Sequence, residues 1–269
     1  FTLQKTIIHK ASVIGKYPFS EVAGLKGTVS YRNDQNVIQA TDANSLREED
    51  QYDHWGGLKL EYIYDNTRPL GLNLMQGTRL KVFGEMYNEF SADQGDFYVV
   101  GTDIRHYIKI HRNLIWANRL SGSTSFGSRK LVYYMGSINN WISGEDMFNF
   151  NNNVARNQGY YFQTIATPMR GFIQNARNGN SFALLNSEIR WPIFQYLISK
   201  PIKSDFLKNF QITGFGDLGT AWTGTDPYSD ENAFNTREVT NGGSSVTVKL
   251  KNQIDPLIGG LGFGLRTKA

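Results

Sequence analysis

Polar and apolar residues alternate with a period of two along much of this chain, which is the pattern of strands with one face toward an apolar surrounding. The run from Arg79 to Phe90 is the clearest. Leu80, Val82, Gly84, Met86 and Phe90 share one face, and Arg79, Lys81, Phe83, Glu85, Tyr87 and Glu89 the other. In Ala23–Tyr31, Ala23, Leu25, Gly27, Val29 and Tyr31 oppose Gly24, Lys26, Thr28 and Ser30. In Leu58–Asp65, Leu58, Leu60, Tyr62 and Tyr64 oppose Lys59, Glu61, Ile63 and Asp65. From Tyr98 to His111, Tyr98, Val100, Ile104, Ile108 and Ile110 oppose Asp103, Arg105, Tyr107, Lys109 and His111. About nine strands are predicted in all. Alternation alone does not separate a soluble sandwich from a membrane barrel. Length favours the barrel, because several runs reach the ~9–11 residues that cross a bilayer when tilted.

The connections point the same way, since membrane barrels join short turns at one end and longer loops at the other. A tight turn at Tyr17–Ser20 precedes a polar loop over Asn33–Asp53. A Pro69 turn, a loop at Ser91–Asp96 and a tight turn at Arg112–Asn113 follow. Long loops are then expected over Ser128–Asn180 and Thr223–Ser245. Tyr52, Trp55, Phe90, Phe97, Trp116, Trp191 and Trp222 lie near strand ends, where interfacial girdles form.

Composition adds constraints. The 40% apolar content and mean hydropathy of −0.41 describe a polar chain, and no run approaches the roughly 18 apolar residues of a spanning helix. A membrane location therefore requires strands. There is no cysteine, which excludes disulfides and thiolate chemistry, and the net charge of +4 is spread without the basic cluster of a nucleic-acid binder. No signal segment opens the chain at Phe1, and Leu257–Ala269 ends without a return hairpin, so further sequence is expected on both sides.

Within the Asn- and Gly-rich insertion stands Pro168-Met169-Arg170-Gly171-Phe172. In the next strand Glu188 lies opposite Leu185, Ile189 and Trp191 in parity. In the strand after it, Phe215 and Asp217 lie opposite Ile212, Leu218 and Trp222. Both carboxylates thus face inward, where they repel, and a guanidinium between them would relieve this while filling several acceptors. Arg170 is the candidate, its planar fork suited to bridging two carboxylates. Gly171 would let the backbone turn tightly against the wall.

Arg170-Gly171-Phe172, Glu188 and Phe215-x-Asp217-x-Gly219 together resemble the bacterial surface antigen family, the BamA/TamA type of outer-membrane barrel that also includes two-partner secretion transporters. In that family an external loop carrying Val/Leu-Arg-Gly-Phe/Tyr folds into the barrel, and its arginine meets the two acids. Met169 stands where the family has Val or Leu. Asp65-Asn66-Thr67-Arg68 is similar to an Asp-x-Arg turn of the family, and Gly259–Arg266 to its Gly-rich strand. The wording is most similar to Bacteroidota barrels that follow a TolB-like propeller.

The resemblance implies an all-β, antiparallel transmembrane barrel of sixteen strands, of which this chain would hold strands six through fourteen. A single domain over residues 1–269, incomplete at both ends, would carry a long inward-folding loop over about 128–180. It further implies a bacterial outer-membrane location, contact with outer-membrane lipid, unfolded outer-membrane or secreted polypeptides as clients, and accessory subunits. No cofactor is implied. The lateral gate of such factors lies between first and last strands, outside this span.

Other functions have less support. The glycines of Gly259–Gly264 alternate as in a strand and precede no helix, so they are not a nucleotide loop and are expected to pack closely under the insertion. His9, His54, His106 and His111 lack metal-ligand spacing, with His106 and His111 on opposite faces of one strand. No serine sits in a nucleophile elbow, so an enzyme is not expected. A passive porin-like channel, or a structural barrel subunit of a larger outer-membrane complex, is the alternative, because charged inner faces also line diffusion pores.

Overall fold

The computed structural model describes residues 3–39, 47, 49–90, 95–136, 154, 160–172, 174–230, 232, 236–240, 247–251 and 255–267. The chain passes through β1 (Leu3–Pro18), β2 (Ala23–Gln39), β3 (Gln51–Asp65), β4 (Arg68–Gly71), β5 (Leu74–Glu89), β6 (Asp96–His111) and β7 (Leu114–Phe126). It continues through β8 (Lys130–Gly136), β9 (Tyr160–Pro168), β10 (Arg177–Gly179), β11 (Ser181–Trp191), α1 (Ile193–Leu197) and α2 (Asp205–Asn209). The last elements are β12 (Gln211–Trp222), β13 (Thr236–Thr240), β14 (Thr247–Lys251) and β15 (Ile258–Arg266).

Nine of these strands form one antiparallel wall in the order β1-β2-β3-β5-β6-β7-β11-β12-β15, with the small β4 added beside β5. Each wall strand pairs with the next wall strand in sequence, as in an up-and-down barrel. Turns at 19–22, 66–67 and 112–113 and the helical connection 192–210 share one end of the wall. The connections 40–50, 90–95, 127–180 and 223–257 share the other.

Burial follows parity and is inverted relative to a soluble sheet. Val29, Leu60, Val82, Val100, Leu120, Ile189 and Leu218 are exposed, and Leu261 is 92% exposed. The opposite face buries Asp34, Glu61, Ser121, Glu188, Gln211 and Asp217, with Glu61 only 4% exposed. Inward charges are paired across strands. Lys26 meets Glu61 at 2.7 Å, Lys59 meets Glu85 at 2.6 Å, and Arg119 meets Asp103 at 2.5 Å. A polar interior with an apolar exterior satisfies inward side chains by ion pairs, and the ladder satisfies the backbone.

The structure departs from several expectations. The described part of the 128–180 insertion is a three-stranded sheet, β10-β8-β9, in which β8 and β9 pair in parallel. β8 buries Leu131, Tyr133 and Met135 against Phe182, Leu184 and Ala221 of the wall, so a segment expected as a long loop forms the centre of the apolar core. Its residues 137–153 and 155–159 lie outside the described set. The Thr223–Ser245 loop contains β13, which pairs with β14, and its residues 231, 233–235 and 241–245 also lie outside. The Asn33–Asp53 region continues both strands, β2 to Gln39 and β3 from Gln51, because its polar side chains find partners inside. Arg32 chelates Asp34 at 2.6 and 2.7 Å, while Asn36 and Gln51 donate to Asp53. The Pro69 turn is the short strand β4.

Trp55 and Phe97 are not girdle residues; both are buried in the interior cluster, with the Trp55 ring tilted against Tyr161 of β9 at 4.4 Å between centroids. A register shift between Lys109 and His111 sets His111 opposite Leu114, in phase with Trp116, so His106 and His111 share the outer face. Residues 91–94 of the Ser91–Asp96 loop, and the chain ends 1–2 and 268–269, lie outside the described residues.

The insertion sheet sits close to the wall at Gly179, where an added Cβ would fall on the Trp222–Thr223 peptide, 2.6 Å from the Thr223 nitrogen. Gly179→Ala should therefore cost about 1–3 kcal/mol by overpacking, measured by urea unfolding, and speed proteolysis within residues 160–180. Gly84→Ala, where a Cβ meets nothing within 4 Å, should change neither.

Candidate functional site

The tip of the insertion descends into the interior directly after β9. Met169 is fully buried in the core cluster, and its N–H donates to the Gly136 carbonyl at 3.1 Å, fixing the tip against β8. Gly171 has φ +87°, a left-handed backbone that costs a residue with a Cβ about 1–2 kcal/mol, although no atom would obstruct that Cβ. Phe172 folds back onto the same cluster.

Between Met169 and Gly171 the Arg170 side chain reaches the wall. Its Nε donates to Asp217 Oδ2 at 2.8 Å and its Nη2 to Oδ1 at 2.7 Å. The Arg170 backbone N–H adds a 3.1 Å bond to Oδ2, and Nη1 donates to Glu188 Oε2 at 2.6 Å. The guanidinium, itself half-buried, lies over the Phe215 ring, 3.7 Å from its centroid, a cation–π contact. The Asp217 side chain is 0% exposed and that of Glu188 7%. Carboxylates so buried require charge-assisted donors.

The motif positions have a steric account. Phe215 and Asp217 pair across to Gly262 and Gly260 of β15. A Cβ at 262 would sit 2.5 Å from Phe215 Cζ, and one at 260 would sit 2.8 Å from the Arg170 carbonyl oxygen. Gly219 faces Leu184 and Met135, with a Cβ there 2.8 Å from Leu184 Cδ1. Glycines thus make room for the ring, the loop backbone and β8. The structure brings Arg170, Gly171, Phe172, Glu188, Phe215, Asp217 and Gly219 into one region of the interior.

Two members of the site escaped the sequence reading. Arg190 donates through Nε to Glu188 Oε1 at 2.8 Å, and Arg266 through Nη1 to the same oxygen at 2.9 Å. Three guanidiniums therefore surround two carboxylates. The signal was present in parity: Arg190 is two residues beyond Glu188, and Arg266 is in phase with Gly260, Gly262 and Gly264.

The site lies between two elements that cross the interior. On the loop side, Tyr161 of β9 donates to Asp34 of β2, so the insertion is tied to the wall far from β12 as well. On the turn side, Arg190 Nη1 donates to the Asn73 carbonyl at 2.6 Å and Gln211 Nε2 to the Leu72 carbonyl at 2.5 Å. The Leu72–Asn73 tip belongs to the β4–β5 hairpin, and β6, β7 and β11 separate β5 from β12. At about 4.8 Å per strand that is roughly 19 Å along the wall, so the tip reaches Gln211 by crossing the interior. A cavity of about 240 Å³ lies between, bordered by Arg105, Tyr107, Arg119, Arg170, Glu188 and Arg190 among others.

Three of the four histidines take ordinary partners: His54 meets Tyr31 at 2.7 Å, His106 meets Thr78 at 2.8 Å and His111 meets Tyr196 at 3.0 Å. Among the described residues no three His, Cys, Asp or Glu side chains are grouped to hold a metal, and no helix is long and apolar enough to cross a membrane.

An antiparallel, all-β wall of nine strands with an inward loop is part of a barrel with the fold of the BamA type. Among solved structures the chain is similar to BamA from Haemophilus ducreyi lacking POTRA domains 1–3, at TM-score 0.50 and 14% identity. The match covers 82% of this chain and 42% of that one, so this chain spans less than half the length of its structural relative. No protein-family model and no curated protein matches the chain. At such identity the likeness is one of fold.

Arg170→Ala leaves Glu188 with wall arginines but Asp217 without its ion pair, and should destabilise the barrel by about 3–5 kcal/mol. A double-mutant cycle of Arg170→Ala with Asp217→Ala, read by urea unfolding in micelles, should give a coupling of about 1–3 kcal/mol. Additive losses would show that the two side chains do not act together.

Proposed function

We propose that residues 1–269 form part of a single barrel domain in a bacterial outer membrane, of the surface antigen type, that inserts or moves polypeptides. In this reading the loop of residues 128–180 braces and plugs the barrel from within, and Arg170 with Glu188 and Asp217 is its lock. The role is mechanical and not enzymatic. The observation that carries it is the Arg170 clamp on two buried carboxylates, inside a wall whose apolar side chains face outward.

Outer-membrane lipid is the partner of the outer face, since exposed rows such as Val29, Leu60 and Val82 suit hydrocarbon. Unfolded outer-membrane or secreted polypeptides are the clients, and accessory subunits complete the machine. Its nearest kin by motif would be Bacteroidota barrels preceded by a TolB-like propeller. A porin-like channel shares the charged inner face, but the insertion sheet and the Leu72–Asn73 tip both occupy the space that ions would use.

The readings separate in a planar bilayer and in the cell. The full-length protein should show little steady conductance, whereas a porin would hold open currents scaling with salt. Depletion should lower the amount of folded, heat-modifiable outer-membrane barrels, and complementation with Arg170→Ala should restore less than wild type. Normal barrel levels after depletion would sink the assembly reading. The lipid contact has its own check: Val29→Lys, near the middle of β2, should cost about 2–4 kcal/mol of folding into bilayers, and Thr28→Lys on the inner face far less.

A further inference from the structure

We propose that the β11–β12 connection, residues 192–210, is an interfacial anchor that rests on an anionic phospholipid surface at the short-turn rim of the barrel. The inference depends on the membrane reading above and adds a lipid-recognition surface to it. The neighbours at the same end are the tight turns at 19–22 and 112–113 and the β3–β5 connection, whose β4 hairpin reaches into the interior, whereas this connection forms two helices.

It is an ordered platform. Gln195 of α1 donates to the Lys208 carbonyl of α2 at 2.6 Å, and the Phe210 ring makes tilted contacts with Phe194 and Phe206, centroids 5.6 and 5.9 Å away. The neighbouring turn holds it through Arg112 Nη1 to the Tyr196 carbonyl at 2.6 Å and Asn113 Nδ2 to Gln195 Oε1 at 2.9 Å. Thr267, just past β15, donates to the Phe206 carbonyl at 3.1 Å.

Its position is at the outer side of the rim. Trp191 shares parity with the exposed Leu185 and Ile189, and the Tyr196 ring packs edge-on against Trp191 and against His111, which is on the outer face. The platform therefore continues the apolar belt downward and does not lie under the interior, which the Leu72–Asn73 tip spans. Tyr17 and Phe19 are exposed at the same end.

The chemistry it presents is that of an interface. Leu197 is 62% and Phe206 51% exposed, and Ile198 is exposed beside them. Lys200, Lys203 and Lys208 are exposed around these groups. Three lysines against Asp205 alone give +2, half of the whole chain's +4. Apolar and aromatic side chains enter the headgroup boundary while lysines stay at the charged layer, and both favour a surface of anionic phospholipid.

Residues 1–269 contain no cysteine, so each label is introduced as the single cysteine of this segment in a full-length protein whose remaining cysteines are replaced by serine. Leu197→Cys and Phe206→Cys, with Val29→Cys as a belt control, would carry an environment-sensitive fluorophore in phosphatidylcholine vesicles with and without phosphatidylglycerol. Shallow doxyl lipids should quench the labels at 197 and 206, at least about twofold more with phosphatidylglycerol present. Lys200→Gln, Lys203→Gln and Lys208→Gln together should erase that gain, while mid-chain doxyl lipids still quench the label at 29. Labels at 197 and 206 that stay open to aqueous iodide and indifferent to phosphatidylglycerol, with the label at 29 lipid-quenched, would overturn the anchor and leave the membrane reading intact. A label at 29 that no lipid quencher reaches would instead overturn the membrane reading itself.

Discussion

Glu188 and Asp217 stand on adjacent strands with almost no access to solvent, and such a pair is tolerable only with cations in hydrogen-bond contact. Glu188 draws two of them from the wall, Arg190 and Arg266, but the ion pair of Asp217 is with Arg170 of the insertion. That asymmetry sets the depth to which the loop descends. Once Arg170 is fixed there, Met169 falls into the core, Gly171 must take a left-handed backbone, and β15 must present glycines where the loop backbone and the Phe215 ring pass. A half-buried cation seated on an aromatic face and on two buried carboxylates interacts more strongly than a fully exposed pair.

The same constraint explains the inverted polarity of the wall. Charged side chains such as Lys26, Glu61, Lys59 and Glu85 neutralise one another in rows across the inner face. Their counterparts on the outer face are Leu25, Leu58, Leu60 and Met86, all exposed. A soluble sandwich would place these two sets the other way round. Alternation alone fits both arrangements; what decides between them is that the ionic groups find partners on the inner side while, among the described residues, the apolar rows of the outer side stay exposed.

How much of this was legible in the sequence depended on whether a local rule governed it. Period-two parity was enough to put Glu188, Phe215 and Asp217 on one face and Leu185, Ile189 and Leu218 on the other, because a regular strand preserves phase over its whole length. The same rule misassigned His111, since a register shift after Lys109 breaks the phase. It also gave no hint that β8 and β9 would pair in parallel across a long separation, or that the apolar Leu131–Met135 run would fill the interior instead of extending the wall. Trp55 and Phe97 were misread for a related reason. Aromatics near a strand end suit a lipid interface and a plugged interior equally well, and only the presence of Tyr161 between them separates the two.

Arg190 links the two closures of the interior. Its Nε holds Glu188 Oε1 while its Nη1 holds the Asn73 carbonyl, so one guanidinium touches both the acid that receives Arg170 and the hairpin that crosses on the turn side. Gln211 adds a second bond to that hairpin from the strand that carries Asp217. β11 and β12 thus serve as a spine from which both obstructions hang, the insertion through Glu188 and Asp217 and the hairpin through Arg190 and Gln211. A movement that separates these two strands, or shifts their register, changes the hold on both at once, because the hydrogen bonds of these pairs are short and directional and a buried carboxylate that loses its partner is costly. The pairing of β11 with β12, and not the loop by itself, is therefore the element on which closure of the interior depends.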